Sequence, residues 1–295
     1  MHDATEAARA QRARAELVTE QVLESFAGCP DERLKTLMRA LTRHLHAFAR
    51  EVVLTEAEWE AAIAFLRACG DVTTDARQEF VLLSDVLGLS TQTVCLGDPA
   101  EGDATEATVL GPFFAEDAPR IPFGGDLSLG ASGEPCLVTG TVSDTLGRPV
   151  PGAGIEVWEA DADGFYDVQY GDGRTAARGR LRTEEDGSYR FWAVTPTPYP
   201  IPHDGPVGRL LQATGRSPMR ASHLHFMVTA PGHHRLVTHV FVEGDAFLAS
   251  DAVFGVRPGL VRTFTRHPAG TPAPGGRVPS GTWTDVAFDI VLSLA

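Results

Sequence analysis

Residues 220–245 read RASHLHFMVTAPGHHRLVTHVFVEGD, and the fold turns on how they pair. Two β-rich runs, SHLHFMVTA (222–230) and RLVTHVFVEGD (235–245), flank Pro231-Gly232, a turn dipeptide, so the stretch predicts a hairpin. Alternate residues of a strand share a face, so His223 and His225 point the same way and their imidazoles can reach one metal ion. His239 lies across the hairpin and can serve as a third ligand or orient one of the other two. On spacing alone three readings stay open: a two-His metal site, a cupin-like site of His223, His225 and His239, or strand histidines satisfied by hydrogen bonds.

Outward from the hairpin, short β-rich runs continue in both directions. CLVTGTVSD (136–144), IEVWEAD (155–161), YRFWAV (189–194) and the closing TDVAFDIVLSL (284–294) all read as strands, and Asp186-Gly187 is a hairpin signal. Strands at this spacing predict a β-sandwich. Residues 195–220 and 265–281 are rich in Pro and Gly and read as long loops, which in a compact domain are often functional. Residues 1–95 have a different grammar, with few Gly or Pro and 3.6-residue apolar periodicity. Helices are expected from Thr5 to Phe26, after Asp31 as N-cap, from a Thr55–Glu58 capping box to Gly70, and from Asp75 to Leu87 with Gly88 ending the last. The fold class expected is α+β: a helical module over 1–104, then a two-sheet antiparallel β-sandwich with long loops over 105–295.

Composition narrows the function. The chain has 295 residues with 43% hydrophobic and 22% charged, enough for a large core. A net charge of −14 argues against binding nucleic acid, which needs clustered Lys and Arg. No apolar run is long enough to span a membrane, and the N-terminus lacks a secretory apolar stretch, so a cytoplasmic location is expected. The cysteines Cys29, Cys69, Cys95 and Cys136 are far apart and read as free thiols.

The chain has four tyrosines. Tyr166 sits in DGFYDVQY (163–170), just after a turn, and Tyr199 in the Pro-dense TPTPYPIP (195–202). Tyrosinate is a hard anionic donor, so two phenolates joined to two imidazoles would suit Fe(III) better than Zn(II) or Cu(I).

With these residues in view the chain resembles the intradiol ring-cleaving dioxygenases, most closely the hydroxyquinol branch. The likeness runs through HLHAFAREVVLTEAEW (44–59), RQEFVLLSDVLGLS (77–90), ATEATVLGPFF (104–114), the run 138–170, TPYPIPHDGPVGRLL (197–211) and Arg220 through THVFV (238–242). The resemblance implies one Fe(III) per chain held by Tyr166, Tyr199, His223 and His225. It implies a small aromatic diol or triol and O2 as substrates, and a homodimer formed through the N-terminal helices, with phospholipid possible at the junction. Catalytic roles fall to Tyr199, to Arg220 as a fixed cation beside the ring, and to His239. The implied pocket comprises Leu82, Asp85, Val109, Leu110, Gly111, Pro112, Phe113, Ile201, Pro202, Arg220 and Val253. Asp85 is the specificity position, because a carboxylate can accept a hydrogen bond from a third ring hydroxyl. Leu110 falls where relatives often carry a larger aromatic. The alternatives are a catechol or chlorocatechol dioxygenase, a metal-free β-sandwich binding module, and the cupin-type site.

Overall fold

The computed structural model describes residues 2–74, 77–98 and 102–295, without side chains for 2–5 and 7–9. The chain divides into two compact units, Met1–Ala68 and Cys69–Ala295.

The first unit is helical. Helix α1 (His2–Ser25) and helix α2 (Glu32–Glu51) are joined by polar contacts. Thr19 Oγ1 lies 2.9 Å from His46 Nδ1 and accepts from Arg50 Nη1 at 2.9 Å. Asp31 caps α2 by accepting from Leu34 N at 2.9 Å. Helix α3 (Glu56–Val72) opens with the expected capping box: Glu58 Oε2 accepts from Thr55 N at 2.9 Å, and Thr55 Oγ1 from Glu58 N at 3.3 Å. It passes Gly70 by two residues rather than stopping there, since one Gly costs a helix only about 1 kcal/mol.

In the second unit, helix α4 (Glu79–Val86) replaces the expected Asp75–Leu87 segment, and Asp75 lies outside the described residues. Gly88, at φ +75°, turns the chain directly into an unforeseen helix α5 (Leu89–Gly97). Among the described residues no single helix is long and apolar enough to cross a membrane.

Twelve strands follow among the described residues: β1 (Pro135–Asp144), β2 (Gly154–Trp158), β3 (Arg178–Arg182), β4 (Ser188–Val194), β5 (Tyr199–Pro200), β6 (Met219–Arg220), β7 (His223–Thr229), β8 (Leu236–Val242), β9 (Val261–Arg262), β10 (Thr265–His267), β11 (Trp283–Ala287) and β12 (Ile290–Leu292). One sheet runs β10-β11-β1-β12, with β4 also paired to β1; a second runs β3-β2-β7-β8-β9; and β5 and β6 pair as a two-stranded sheet. Val138, Val142, Ile155, Phe191, Phe226, Val240 and Phe288 belong to one buried apolar core, with strands of the first two sheets contributing.

Three expectations change. The sheets are mixed, not antiparallel: β11 and β12 run parallel to β1, and β9 runs parallel to β8. Strand period fixes which face is buried but not the direction of the partner. The Asp186-Gly187 turn is tight, with Gly187 at φ +79°, yet it carries the chain from β3 in one sheet to β4 in the other and makes no hairpin. The stretch 195–220 is not all loop, because helix α6 (Pro206–Ala213) starts within it, with Pro206 at a first-turn position where its missing N–H costs nothing.

The predicted hairpin of β7 and β8 is present, with His225 opposite His239. Leu224, Phe226 and Val228 enter the main core. The alternate residues His223, His225 and Met227 take the opposite face, and Met227 packs there with Trp158, Tyr166 and Tyr199. The outer face of this sheet is therefore roofed by the segments that carry the two tyrosines.

Candidate metal centre

Each site residue is fixed by its own local structure. Tyr166 caps a short 3₁₀ turn, its N–H donating to Gln169 Oε1 at 2.9 Å. The turn before it is held by Asp161, whose Oδ1 accepts from Asp163 N at 3.0 Å and Phe165 N at 3.1 Å. Gly164 in that turn has φ +83°, and a Cβ there would lie 2.9 Å from Tyr199 Cβ. Only glycine satisfies both conditions. Tyr199 is held by a two-strand ladder that pairs it with Arg220. His225 is stacked on Trp158, with ring centroids 4.7 Å apart, and Phe113 on Tyr166 at 4.6 Å.

The polar ends converge. Tyr166 Oη lies 2.8 Å from Tyr199 Oη and 3.0 Å from His225 Nε2. His223 Nε2 lies 3.2 Å from His225 Nε2 and 3.4 Å from Tyr199 Oη. All four residues are almost wholly buried. His223 Nδ1 donates to Ala221 O at 2.6 Å, which makes Nε2 the nitrogen that carries the lone pair into the cluster. His239 is also brought in, its imidazole within ligand reach of the other two histidines. Its Nδ1 pairs with Thr108 Oγ1 and its buried Nε2 has no partner.

Burial holds this cluster in its uncharged forms. Burial pushes the Tyr166 phenol well above its ordinary range, with neighbouring Tyr199 adding to it and Arg220 opposing. Burial also raises Tyr199, against the pull of Arg220 and the Tyr166 hydrogen bond. His223, His225 and His239 are driven well below the ordinary imidazole value, first by burial and also by Arg220. The histidines are thus neutral, the form in which an imidazole can bind a metal, and a bound trivalent ion would reverse the penalty on the phenolates. Two hard oxygens and two imidazole nitrogens, gathered at contact distance and shielded from water, fit non-haem iron.

Beside the cluster is a narrow pocket. Leu82, Asp85, Val109, Gly111, Pro112, Phe113, Ile201, Pro202, Arg220 and Val253 line it together with Tyr199. Leu110 does not. It is 39% exposed, because in the extended run through this segment Val109 takes the inward position and Leu110 the outward one. Gly111, at φ +76°, lets the backbone approach His225, where a Cβ would lie 3.4 Å from Cε1. Burial raises the Asp85 carboxyl, against a Ser90 hydrogen bond and the attraction of Arg220. Thr108, Trp158 and Gly164 were missed by the sequence reading. Thr108 adjoins the pocket run 109–113, and Gly164 stands in an Asp-Gly turn, so only those two carried a local signal.

Comparison with known proteins gives the family. Residues 31–105 match the family described as catechol dioxygenase N terminus, and residues 111–294 match the family described as dioxygenase. A hydroxyquinol 1,2-dioxygenase of Nocardioides simplex is 66% identical over 97% of this chain and 97% of its own.

The chain belongs to the intradiol ring-cleaving dioxygenases.

A second such relative, the hydroxyquinol 1,2-dioxygenase of Rhodococcus opacus, is 57% identical over 98% of this chain and 97% of its own length. The solved hydroxyquinol 1,2-dioxygenase of Pseudomonas putida DLL-E4 superposes with a TM-score of 0.90 at 41% identity, covering 96% of this chain and all of that one. Membership of the intradiol dioxygenases implies non-haem iron, and the histidine cluster is compatible with it.

Proposed function

We propose that this chain is an Fe(III) intradiol dioxygenase that cleaves hydroxyquinol (1,2,4-trihydroxybenzene) between its adjacent hydroxyl carbons. The product is 3-hydroxy-cis,cis-muconate, which tautomerises to maleylacetate. The observation that carries the reading is the meeting of Tyr166 Oη, Tyr199 Oη, His223 Nε2 and His225 Nε2 beside a pocket containing Arg220 and Asp85.

Tyr166, Tyr199, His223 and His225 would hold one iron per chain. When bound, ferric iron would supply Lewis-acid chemistry that activates an aromatic diol toward O2. The chain does the rest. Tyr199 Oη, which lines the pocket, takes up a substrate proton as a phenolate, the form that Arg220 favours against the opposing effect of burial. Arg220 offers its guanidinium to negative charge developing on the ring, an effect commonly worth about 10²–10³-fold in rate. His239, neutral and with a free Nε2, can hydrogen-bond an oxygen held in the site. The apolar walls, Leu82, Val109, Ile201 and Val253, exclude water. One C–C bond breaks and both atoms of O2 enter the product, so the reaction needs no external reductant.

Asp85 supports the choice of substrate, since its carboxylate can accept a hydrogen bond from the third hydroxyl, which catechol lacks. The dimer is part of the same proposal: Leu34, Leu37, Leu41, Leu45 and Phe48 form an exposed apolar stripe on α2 at helical spacing. That stripe would be covered by a second copy, where family resemblance would also place phospholipid. The free thiols support a reducing, cytoplasmic setting.

The test is an absorption spectrum with iron analysis of the purified protein, then O2 uptake with hydroxyquinol, catechol and chlorocatechol. A red-brown phenolate-to-Fe(III) band, one iron per chain and the highest kcat/KM on hydroxyquinol are expected. A protein that stays colourless after iron loading overturns the ligand set. Fastest turnover of catechol or chlorocatechol overturns the substrate.

A further inference from the structure

A buried carboxylate that none of the foregoing uses, Asp251, lies behind Arg220. Both side chains are almost wholly buried, and Arg220 Nε donates to Asp251 Oδ1 at 3.2 Å. The same Oδ1 accepts from Ala221 N at 3.3 Å, and Oδ2 accepts from Gly255 N at 2.8 Å. The turn that carries Asp251 also carries Val253 into the pocket wall. It is tied down by Ala252 N donating to Met219 O at 3.0 Å, and by Thr91 Oγ1 donating to Val253 O at 2.9 Å.

The consequence for Arg220 is geometric. A guanidinium has five N–H donors in a rigid plane, so fixing Nε fixes where the other two nitrogens aim. With Nε taken by Asp251, Nη1 faces His223 Nε2 at 3.1 Å and the buried Nη2 has no partner. Gly255 leaves the space this requires, because a Cβ there would lie 3.1 Å from Arg220 Nη2 and 3.3 Å from Asp251 Oδ2. Arg220 lines the pocket, so with Nε held from behind by Asp251 the rest of the guanidinium is fixed in orientation at the pocket wall.

We propose that Asp251 is a positioning residue: it orients the Arg220 guanidinium toward the ring, with Gly255 leaving the space for it. The proposal rests on the dioxygenase reading and deepens it. Asp251 touches neither substrate nor iron; its effect passes through Arg220.

The test uses the iron-loaded protein with Asp251→Asn, which keeps the side chain's shape and an oxygen acceptor but removes the charge. Iron content, the visible band and catechol binding under argon should stay within about threefold of the unsubstituted protein. Turnover of hydroxyquinol should fall about 10–100-fold, the scale for a misplaced catalytic group. Adding Asp251→Asn to Arg220→Ala should cost less than a further threefold. Free guanidinium should partly restore Arg220→Ala but not the double variant. Gly255→Ala should show the same loss in kcat with binding retained, and it carries the test if Asp251→Asn fails to fold. Wild-type kcat in either single variant overturns the proposal, as does an equal loss in the Arg220→Ala background. A crystal structure of either single variant reads the Arg220 rotamer whatever the reaction proves to be, and an unmoved guanidinium also overturns it. Failure of the functional reading looks different, since the unsubstituted protein would then show neither band nor O2 uptake.

Discussion

Tyr199 separates the readings at the scale of single residues, because a cupin-type site of three histidines has no use for it. Its hydroxyl lies 2.8 Å from that of Tyr166 and faces the pocket. Tyr199→Phe should therefore weaken or shift the visible band and lower kcat on hydroxyquinol by more than about 10²-fold, since even a residue supporting a ligand is worth 10–100-fold. A band and rate unchanged by this substitution would favour the three-His site. Asp85 carries a second prediction. Asp85→Ala should lower kcat/KM for hydroxyquinol more than for catechol, by about tenfold in the ratio, the effect of one lost hydrogen bond to an anionic acceptor. An unchanged ratio would place specificity elsewhere. The histidine pair was legible from strand alternation and the tyrosines drew notice by their unusual settings, whereas the role of Arg220 came only from the resemblance to the family. Asp251 and Trp158 were not legible, because what each touches is set by a fold contact rather than by spacing.

At the scale of elements, the site depends on how closely the segment 161–166 approaches β5. Gly164 has a positive φ and no room for a Cβ beside Tyr199. Gly164→Ala should destabilise the fold by about 1–3 kcal/mol and disturb the visible band, because the strain falls on the backbone carrying both tyrosines. Thermal unfolding and the absorption spectrum of one sample read both effects. A Tm within 1 °C of the unsubstituted protein would contradict the geometry. Elements with local signatures, such as the capped helices and the β7–β8 hairpin, were legible before the structure. The parallel pairing of β11 and β12 with β1 was not, nor was the crossover at Asp186-Gly187. A tight turn fixes chain reversal over four residues but does not say which sheet receives the next strand.

For the whole molecule, all four proposed iron donors and every pocket residue lie in the unit Cys69–Ala295, whereas the exposed stripe on α2 lies in Met1–Ala68. The stripe is therefore expected to govern association and not the iron centre. Leu37 and Leu41 are about half exposed in the single chain and lie one helical turn apart. Burying a leucine side chain is worth about 1.5–3 kcal/mol, and a carboxylate placed in the same interface opposes association by more. Leu37→Glu combined with Leu41→Glu should thus cost at least about 3–6 kcal/mol, which is 10²–10⁴-fold in the dimer dissociation constant. Sedimentation at micromolar protein should show the unsubstituted chain at twice the chain mass and the double variant as monomer, with any copurifying lipid lost as well. The variant should keep its visible band and one iron per chain, because nothing that builds the site was touched. An unchanged dimer would show that α2 is not the interface, and a monomer that had also lost its colour would show that the iron centre needs the second copy.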